Sequence, residues 1–195
     1  VRVTWNDIPS IKRVIETGPD AIVVPMVNSV EEAKRAIDTC IYPPAGKRGF
    51  GPCRAIRYGI DDTLEYIEHG SYELCRFLQV ETKDAVDAMD EVSKIPYMDG
   101  FIIGPMDLSG SVGELGHALE GDKTNRLVEL AVEKAHKNGK PIGLSTGSVD
   151  AAELTHWMSK GIDFISAGTD MWSIISGARS LLARMREVSD TVGYD

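Results

Sequence analysis

Short apolar runs alternate with amphipathic stretches along the whole chain. A continuous run such as residues 21–26 is typical of a strand that is buried on both faces of a parallel sheet. Between such runs, apolar residues recur at helical spacing, as at Ile8, Ile11 and Ile15. The pattern predicts strands at residues 1–5, 21–26, 76–81, 101–104, 141–146 and 163–168. It predicts one helix capped by Asn6 and Asp7, one that begins with a capping box from Ser29 to Glu32, and others at residues 61–68, 82–95, 124–138, 148–160 and 171–188.

The alternation gives about six β–α units, which implies an α/β fold with a parallel sheet and right-handed crossovers. A (β/α)8 barrel and an open doubly wound sheet both satisfy this order. A barrel has eight units and typically about 250 residues, and this chain opens inside a strand. We therefore expect a (β/α)8 TIM barrel that lacks its first two β–α units in this chain, with the open sheet as the alternative. No linker divides residues 1–195, so we expect one domain, the C-terminal portion of the barrel.

Composition excludes several classes of partner. Hydrophobic residues make up 43% of the chain, but no apolar run reaches the roughly 18 residues of a membrane span. A formal charge of −9 argues against nucleic acid or anionic membrane as partners. The three cysteines have no metal-type spacing, which suggests free thiols and a cytoplasmic location. The chain starts with neither Met nor a signal peptide, so we expect a segment upstream.

The candidate chemistry lies where strands end, because parallel sheets bind ligands at that edge. Gly104 and Pro105 force a tight exit from a strand, and the helical turn that follows offers unpaired N–H groups to a small anion. Glu81 and Asp107 stand at the ends of two strands. Two carboxylates without a nearby His or Cys suit Mg²⁺ or Mn²⁺. The alternative is structural, with Asp107 as a helix N-cap and Glu81 complementing a helix dipole.

Other polar positions leave two interpretations open. Gln79 shares a strand face with Glu81 and could bind a ligand oxygen or fill a polar barrel interior. Arg2 points away from its apolar neighbours and needs a partner, for which spacing favours a structural salt bridge over a substrate carboxylate. Four cations in residues 46–57 could guide an anionic substrate or simply be solvated. The histidines are expected at the surface: His69, His117, His136 and His156. The apolar face of the last helix fits core packing or an intersubunit contact.

Five motifs resemble one family in composition and order. They are Val-Arg-Val-Thr-Trp-Asn-Asp (1–7), Val-Val-Pro-Met-Val-Asn (23–28), Tyr-Pro-Pro-Ala-Gly-Lys-Arg-Gly-Phe-Gly (42–51), Gln-Val-Glu-Thr (79–82) and Ile-Gly-Pro-Met-Asp-Leu-Ser (103–109). The chain resembles the HpcH/HpaI aldolases, metal-dependent class II pyruvate aldolases of the hydroxy-oxo-heptanedioate and 2-dehydro-3-deoxyglucarate aldolase type. The resemblance covers essentially the whole chain. It implies a (β/α)8 barrel in homohexamers that exchange the last helix.

The resemblance also implies roles for individual residues. Glu81 and Asp107 match the family's metal ligands, while Gln79 and the backbone of Met106 match its contacts to pyruvate. The N–H groups of Met106 and Asp107 would hold the substrate carboxylate. Arg2 matches the arginine that stabilises the enolate, which replaces the structural bridge favoured by spacing.

Two further roles concern the base of the family's reaction. Glu16 falls where the family has an aspartate that supports a histidine base. That histidine lies upstream of the arginine motif, before Val1.

Met106 stands in place of a more usual small residue, which a backbone contact would tolerate.

The implied activity is reversible aldol cleavage of a 4-hydroxy-2-oxo acid to pyruvate and an aldehyde. Its cofactor would be a divalent metal, Mg²⁺ or Mn²⁺ first and Co²⁺ as an alternative. Its partners would be the small 2-oxo acid and the aldehyde, in aromatic or sugar-acid catabolism. A related lyase acting on acyl-CoA or an oxaloacetate decarboxylase would use the same enolate. A noncatalytic anion-binding or assembly protein is the alternative from another class.

Overall fold

Five parallel strands pair in chain order in the computed structural model, which describes residues 1–193. The strands are β1 (Ala21–Val24), β2 (Cys75–Val80), β3 (Gly100–Ile103), β4 (Ile142–Thr146) and β5 (Phe164–Ala167). Each strand hydrogen-bonds to the next in parallel register. A sequential order is typical of a β/α barrel, whereas doubly wound sheets reverse their order at a switch point. The sheet is therefore a parallel half-barrel.

Helices follow the strands at nearly all the predicted places. They are α1 (Ile8–Ile15), α2 (Val30–Cys40), α3 (Thr63–Glu68), α4 (Lys83–Val92), α5 (Pro105–Ser111), α6 (Asp122–Lys137), α7 (Ala151–Met158) and α8 (Asp170–Val192). Short 3₁₀ turns cover Arg54–Gly59 and Gly70–Tyr72. The side chains of Asp7, Ser29 and Thr82 accept backbone N–H groups at the starts of α1, α2 and α4. Local capping chemistry therefore fixes where these helices begin.

The first predicted strand is wrong in extent. Residues 1–5 form one isolated parallel bridge, between Arg2 and Val23. Val3 donates its N–H to the Val23 carbonyl, and Val23 donates to the Val1 carbonyl. The chain then bends so that Asp7 can cap α1, which ends the pairing after one bridge. The segment still lies along the free edge of β1, so the described sheet has five strands and not six.

The core lies between the sheet and the helices that cover it. Strand β3 is buried along its whole length, and α4 packs against α6 over its outer face. On β2, Leu78 and Val80 belong to the apolar core, while Gln79 between them points to the other face. This alternation places a polar side chain inside the half-barrel.

Helix α8 extends over 23 residues, none of which is buried, and only the short α3 among the described helices shares this property. Within residues 1–193, no helix has both the length and the hydrophobicity that are needed to cross a bilayer.

Candidate functional site

A cavity of about 550 Å³ opens at the carboxyl ends of β3, β4 and β5. The loops that follow parallel strands meet at this edge of the sheet, where such proteins bind ligands. The walls come from residues 104–107, 145–147 and parts of 116–120 and 166–169, together with Arg2 and Gln79. Glu153 and Trp157 complete the lining, so the cavity collects residues from seven separate stretches of the chain.

Glu81 follows β2 directly and lies beside Gln79. It is 2% exposed, and both of its carboxylate oxygens accept hydrogen bonds. The N–H of Met26 donates to Oε1 at 2.5 Å, and Nε2 of Gln79 donates to Oε2 at 2.5 Å. Because a buried carboxylate is costly without such donors, these two contacts hold Glu81 in a single orientation.

The environment of Glu81 opposes its negative charge. Burial raises the pKa of Glu81, and the charge of Asp107 and a hydrogen bond with that carboxyl raise it further. The Met26 N–H and the positive charge of Arg2 act in the opposite direction. The two carboxyl groups therefore lie close enough to interact. Like charges held this close favour either a shared proton or a bound cation.

Two backbone features make room for this pair of carboxyls. Met26 has a positive φ of 54°, which is uncommon outside glycine and aims its N–H at Glu81. A Cβ on Gly104 would lie 2.6 Å from Gln79 Nε2 and 3.2 Å from Glu81 Oε2. Gly104 is therefore needed because the start of α5 passes directly over these side chains.

Asp107 and Met106 stand in the first turn of α5. Gly104 is the N-cap and Pro105 the first helical residue, so Asp107 occupies the third position. The first N–H groups of a helix have no intrahelical partner. Both residues line the cavity and are exposed to it. The turn therefore offers a carboxylate and N–H donors at one place.

Arg2 lines the same cavity through its bridge to β1. Within residues 1–193 it forms no salt bridge, so the structural bridge that spacing favoured is absent. Its charge reaches the carboxyl of Glu81, whose pKa it lowers. The structure thus brings together Arg2, Gln79, Glu81, Met106 and Asp107.

Glu16 is the one predicted site residue that lies elsewhere. It is the C-cap of α1, before the start of β1, whereas the cavity lies where strands end. Its Oε1 accepts from Lys12 Nζ at 2.8 Å and from Arg48 Nη2 at 3.2 Å. The structure therefore does not bring Glu16 to the cavity, and a role beside a histidine base stays a prediction.

The cationic loop also differs from both interpretations of its sequence. Arg48 is 2% exposed, pairs with Glu16 and lies 4.4 Å from the centre of the Tyr42 ring. It is a buried structural cation, so treating all four loop cations as solvated or substrate-guiding was wrong. Arg57 fits the solvated interpretation, because it pairs with Asp61 at the surface.

Two residues of the cavity wall, Glu153 and Trp157, were not predicted from the sequence. Glu153, in the first turn of α7, accepts from Thr146 Oγ1 at 2.6 Å and from Trp157 Nε1 at 3.4 Å. Trp157 is 1% exposed. The i, i+4 spacing of Glu153 and Trp157 on a helix was visible in the sequence, but an ordinary surface helix has the same pattern. Only the fold turns this pair toward the cavity.

The chemistry of the donors fits a hard divalent cation. No group of three or more His, Cys, Asp or Glu side chains that could hold a metal occurs in the described chain. Two carboxylates alone can still hold Mg²⁺ or Mn²⁺ when water and substrate oxygens complete the shell. A cation between Glu81 and Asp107 would also remove the repulsion that raises the pKa of Glu81.

Comparison with known proteins identifies the family. A sequence model of the HpcH/HpaI aldolase/citrate lyase family matches residues 1–177. The chain belongs to this family. The hydroxypyruvate/pyruvate aldolase of Roseovarius nubinhibens is 32% identical over 95% of this chain and 71% of its own. The 4-hydroxy-2-oxovalerate aldolase of Novosphingobium aromaticivorans is 34% identical over 96% of this chain and 70% of its own.

Solved structures of the family share the fold. The HpcH/HpaI aldolase/citrate lyase family protein from Burkholderia cenocepacia J2315 superposes with a TM-score of 0.83. The match covers 95% of this chain and 72% of that one at 23% identity, so it speaks for the fold alone.

Proposed function

We propose that this family member catalyses the reversible aldol cleavage of 4-hydroxy-2-oxo acids to pyruvate and an aldehyde. The observation that carries the proposal is the approach of the Glu81 and Asp107 carboxyls to each other, beside Gln79 and the first turn of α5. The relatives named above are aldolases, which supports the reaction class. The reaction is that of a carbon–carbon lyase.

Glu81 and Asp107 would hold the metal, with Mg²⁺ or Mn²⁺ as our first expectation and Co²⁺ as an alternative. A divalent ion at this place supplies Lewis-acid stabilisation of negative charge on the 2-oxo oxygen. The hydrogen bonds from Met26 and Gln79 keep the Glu81 carboxylate oriented toward Asp107.

The chain's own residues orient the 2-oxo acid. The N–H groups of Met106 and Asp107 bind its carboxylate, and the second amide hydrogen of Gln79 is available to a substrate oxygen. When the 4-hydroxyl loses its proton, C4 becomes the aldehyde carbon and the C3–C4 bond breaks. Its electron pair passes toward C3 and the C2 oxygen, where Arg2 adds positive charge. Protonation at C3 then gives pyruvate.

The proton acceptor for the 4-hydroxyl is a separate part of the proposal. None of the histidines in the described chain lines the cavity. The resemblance to the family assigns this role to a histidine that precedes Val1.

We also propose an arrangement for the whole protein. Residues 1–195 would be a single domain, and its five strands would be part of a (β/α)8 barrel whose first two units lie outside this chain. Coverage of about 70% of the relatives' length supports this view. The exposed apolar side chains of α8 support a homohexamer with exchanged helices. Free cysteines within residues 1–193 support a cytoplasmic location. A role in aromatic or sugar-acid catabolism completes the proposal.

The first test is removal of the metal or of its ligands. We expect EDTA to abolish pyruvate release from a 4-hydroxy-2-oxo acid, and Mg²⁺ or Mn²⁺ to restore it. Glu81→Gln and Asp107→Asn should each lower kcat/KM by at least about 100-fold, since even outer partners of metal ligands cost 10–100-fold. Glu129→Gln is the matched control, because that carboxylate pairs with Lys160 at the surface.

A trapping experiment separates this mechanism from one that uses a Schiff base. Borohydride added with pyruvate should leave the protein mass unchanged, because no lysine lines the cavity in the described chain. Covalent trapping, combined with full activity in EDTA, would refute the metal mechanism.

A further inference from the structure

The half of the cavity away from Arg2 is rich in hydroxyl groups. Ser145 and Thr146 are the last two residues of β4, Ser166 lies in β5, and Thr169 is the N-cap of α8. All four line the cavity. Hydroxyls both donate and accept hydrogen bonds, so this wall can pair with the hydroxyl groups of a bound molecule.

A fixed carboxylate stands in the same wall. Glu153 is held by Thr146 and by the indole of the buried Trp157. Its backbone is held as well, because the N-cap residue Asp150 accepts the Glu153 N–H at 3.0 Å. Burial acts to raise the pKa of Glu153, but hydrogen bonds from Thr146, Ser148 and Trp157 bring it below its ordinary value. Glu153 is therefore an ionised, pre-oriented acceptor at neutral pH.

The charges of this wall are all negative. Glu120 also lines the cavity, and its negative charge would repel a second carboxylate on the substrate. In the part of the chain that the structure describes, Arg2 is the sole cation of the cavity lining. Our mechanism already uses Arg2 for the 2-oxo acid, so the described residues of the lining leave no cation for an acidic aldehyde.

From this wall we propose the class of aldehyde. It is a neutral, hydroxylated aldehyde, and Glu153 determines the specificity by accepting a hydrogen bond from its hydroxyl group. This inference rests on the proposed aldolase function. A carboxylated aldehyde would place its charge against Glu120 and Glu153 without compensation. The chain would then differ from relatives named 4-hydroxy-2-oxo-heptane-1,7-dioate aldolase, whose substrate carries a distal carboxylate.

The test compares aldehydes in the direction of synthesis. The full-length protein with Mg²⁺ and saturating pyruvate is given glyceraldehyde, propanal or succinic semialdehyde, and kcat/KM is measured for each aldehyde. We expect glyceraldehyde to exceed both others by at least about 10-fold, since sites built for a substrate hydroxyl discriminate against analogues without it. Equal or better use of succinic semialdehyde would overturn the inference.

A second measurement separates the inference from the proposal beneath it. Exchange of the pyruvate methyl protons with D₂O reports enolate formation without any aldehyde. Absence of exchange would refute the proposed function itself. Exchange together with a preference for succinic semialdehyde would refute the aldehyde class alone.

The role of Glu153 has its own variant. In Glu153→Gln, the ratio of kcat/KM for glyceraldehyde to that for succinic semialdehyde should fall several-fold. The ratio is taken within each variant, so a general loss of activity cancels. Glu129→Gln should keep the wild-type ratio. An unchanged ratio in Glu153→Gln, with a wild-type melting temperature, would show that Glu153 does not set specificity.

Discussion

At the scale of single residues, the site depends on side chains that are held against their own preferences. Glu81 is a buried acid, and the carboxyl of Asp107 lies close enough to raise its pKa further. Met26 adopts a left-handed backbone conformation to donate to it. Strain and unfavourable charge of this kind persist where function requires them. Removal of one of these features should therefore increase the stability of the protein.

Glu81→Gln should make the metal-free protein more stable while it abolishes activity. The pKa of Glu81 is raised by burial above the ordinary 4.5, so its ionised form costs stability at neutral pH. A glutamine can still accept from Met26 and can donate to a flipped Gln79 amide. We expect a gain of about 1 kcal/mol, or roughly 2–4 °C in Tm.

The gain should have a definite pH dependence. It should be present above the raised folded-state pKa and should shrink as the pH falls toward 4.5, because Glu81 is then protonated in the native protein. Thermal unfolding in EDTA at several pH values measures this. A loss of stability at neutral pH would contradict it.

Gly104→Ala tests the clearance above the carboxyl pair. The added Cβ would lie 2.6 Å from Gln79 Nε2, so Gln79 and Glu81 must move. A shift of this size at reacting groups can cost about 100-fold in kcat/KM. In Gly49→Ala the nearest atom to the new Cβ would be Lys12 Cε at 3.5 Å, an ordinary contact, so that variant should keep wild-type activity. Equal activity of both variants would show that the clearance is unimportant.

At the scale of elements, short-range rules describe the helices well and the strand ends less well. The capping box predicted from Ser29 and Glu32 is present, because Ser29 Oγ accepts the N–H of Glu32. The Glu32 carboxylate, however, accepts the N–H of Asn28 and not that of Ser29. Contacts between the strands also fix their starts. Asp163, before β5, accepts the N–H of Ile142 at 2.8 Å and a hydrogen bond from His136. Such a contact joins elements that are distant in sequence, so no local pattern reveals it.

Asp163→Ala should therefore destabilise the sheet in a pH-dependent way. Burial acts to raise the pKa of Asp163, but hydrogen bonds from the Ile142 N–H and His136 bring it below its ordinary value. A lowered pKa stabilises the native state at pH values above 3.8 and loses this effect as the pH falls through the folded-state pKa. We expect a loss of about 1 kcal/mol at pH 7 for this half-exposed group.

Chemical denaturation at pH 7 and pH 3 measures the difference between Asp163→Ala and the wild type. Asp163→Asn is the matched control, because it keeps an acceptor for Ile142 but removes the titration. A difference of equal size at both pH values would exclude the ionised carboxylate as the cause.

At the scale of the whole molecule, the apolar surface is unevenly distributed. Most helices of the half-barrel bury apolar residues against it, but α8 exposes large apolar side chains along its length. Ile175 and Leu182 are 45% and 49% exposed and stand seven residues apart, on one face of the helix. An apolar face of this extent is typical of a surface that another chain covers.

We expect the protein to be an oligomer at micromolar concentration and the double variant Ile175→Asp, Leu182→Asp to be smaller. The added charges would be buried without partners in an apolar interface. Light scattering coupled to size exclusion measures the mass of each. Arg186→Asp, an exposed polar position on the same helix, is the control. A monomeric wild type would refute the exchanged-helix hexamer.

The sequence by itself determined the parts of this protein that depend on neighbours along the chain. The spacing of apolar residues along the chain, together with the capping residues, predicted most helices and strands. The rule that parallel strands end at one edge was enough to expect Glu81 and Asp107 together. It could not supply the Met26 N–H, the clearance at Gly104 or the carboxylate of Glu153, because each depends on the relative position of distant elements.

Only the tertiary structure decided which charges meet and which are buried. Arg48 belongs to a loop whose cations were expected to be solvated, but its side chain packs against Glu16 and Tyr42. It left Arg2 facing the cavity, where spacing favoured a salt bridge. The physical reason is that desolvation and charge pairing depend on distances across the fold, whereas hydrophobic period and capping act within a few residues.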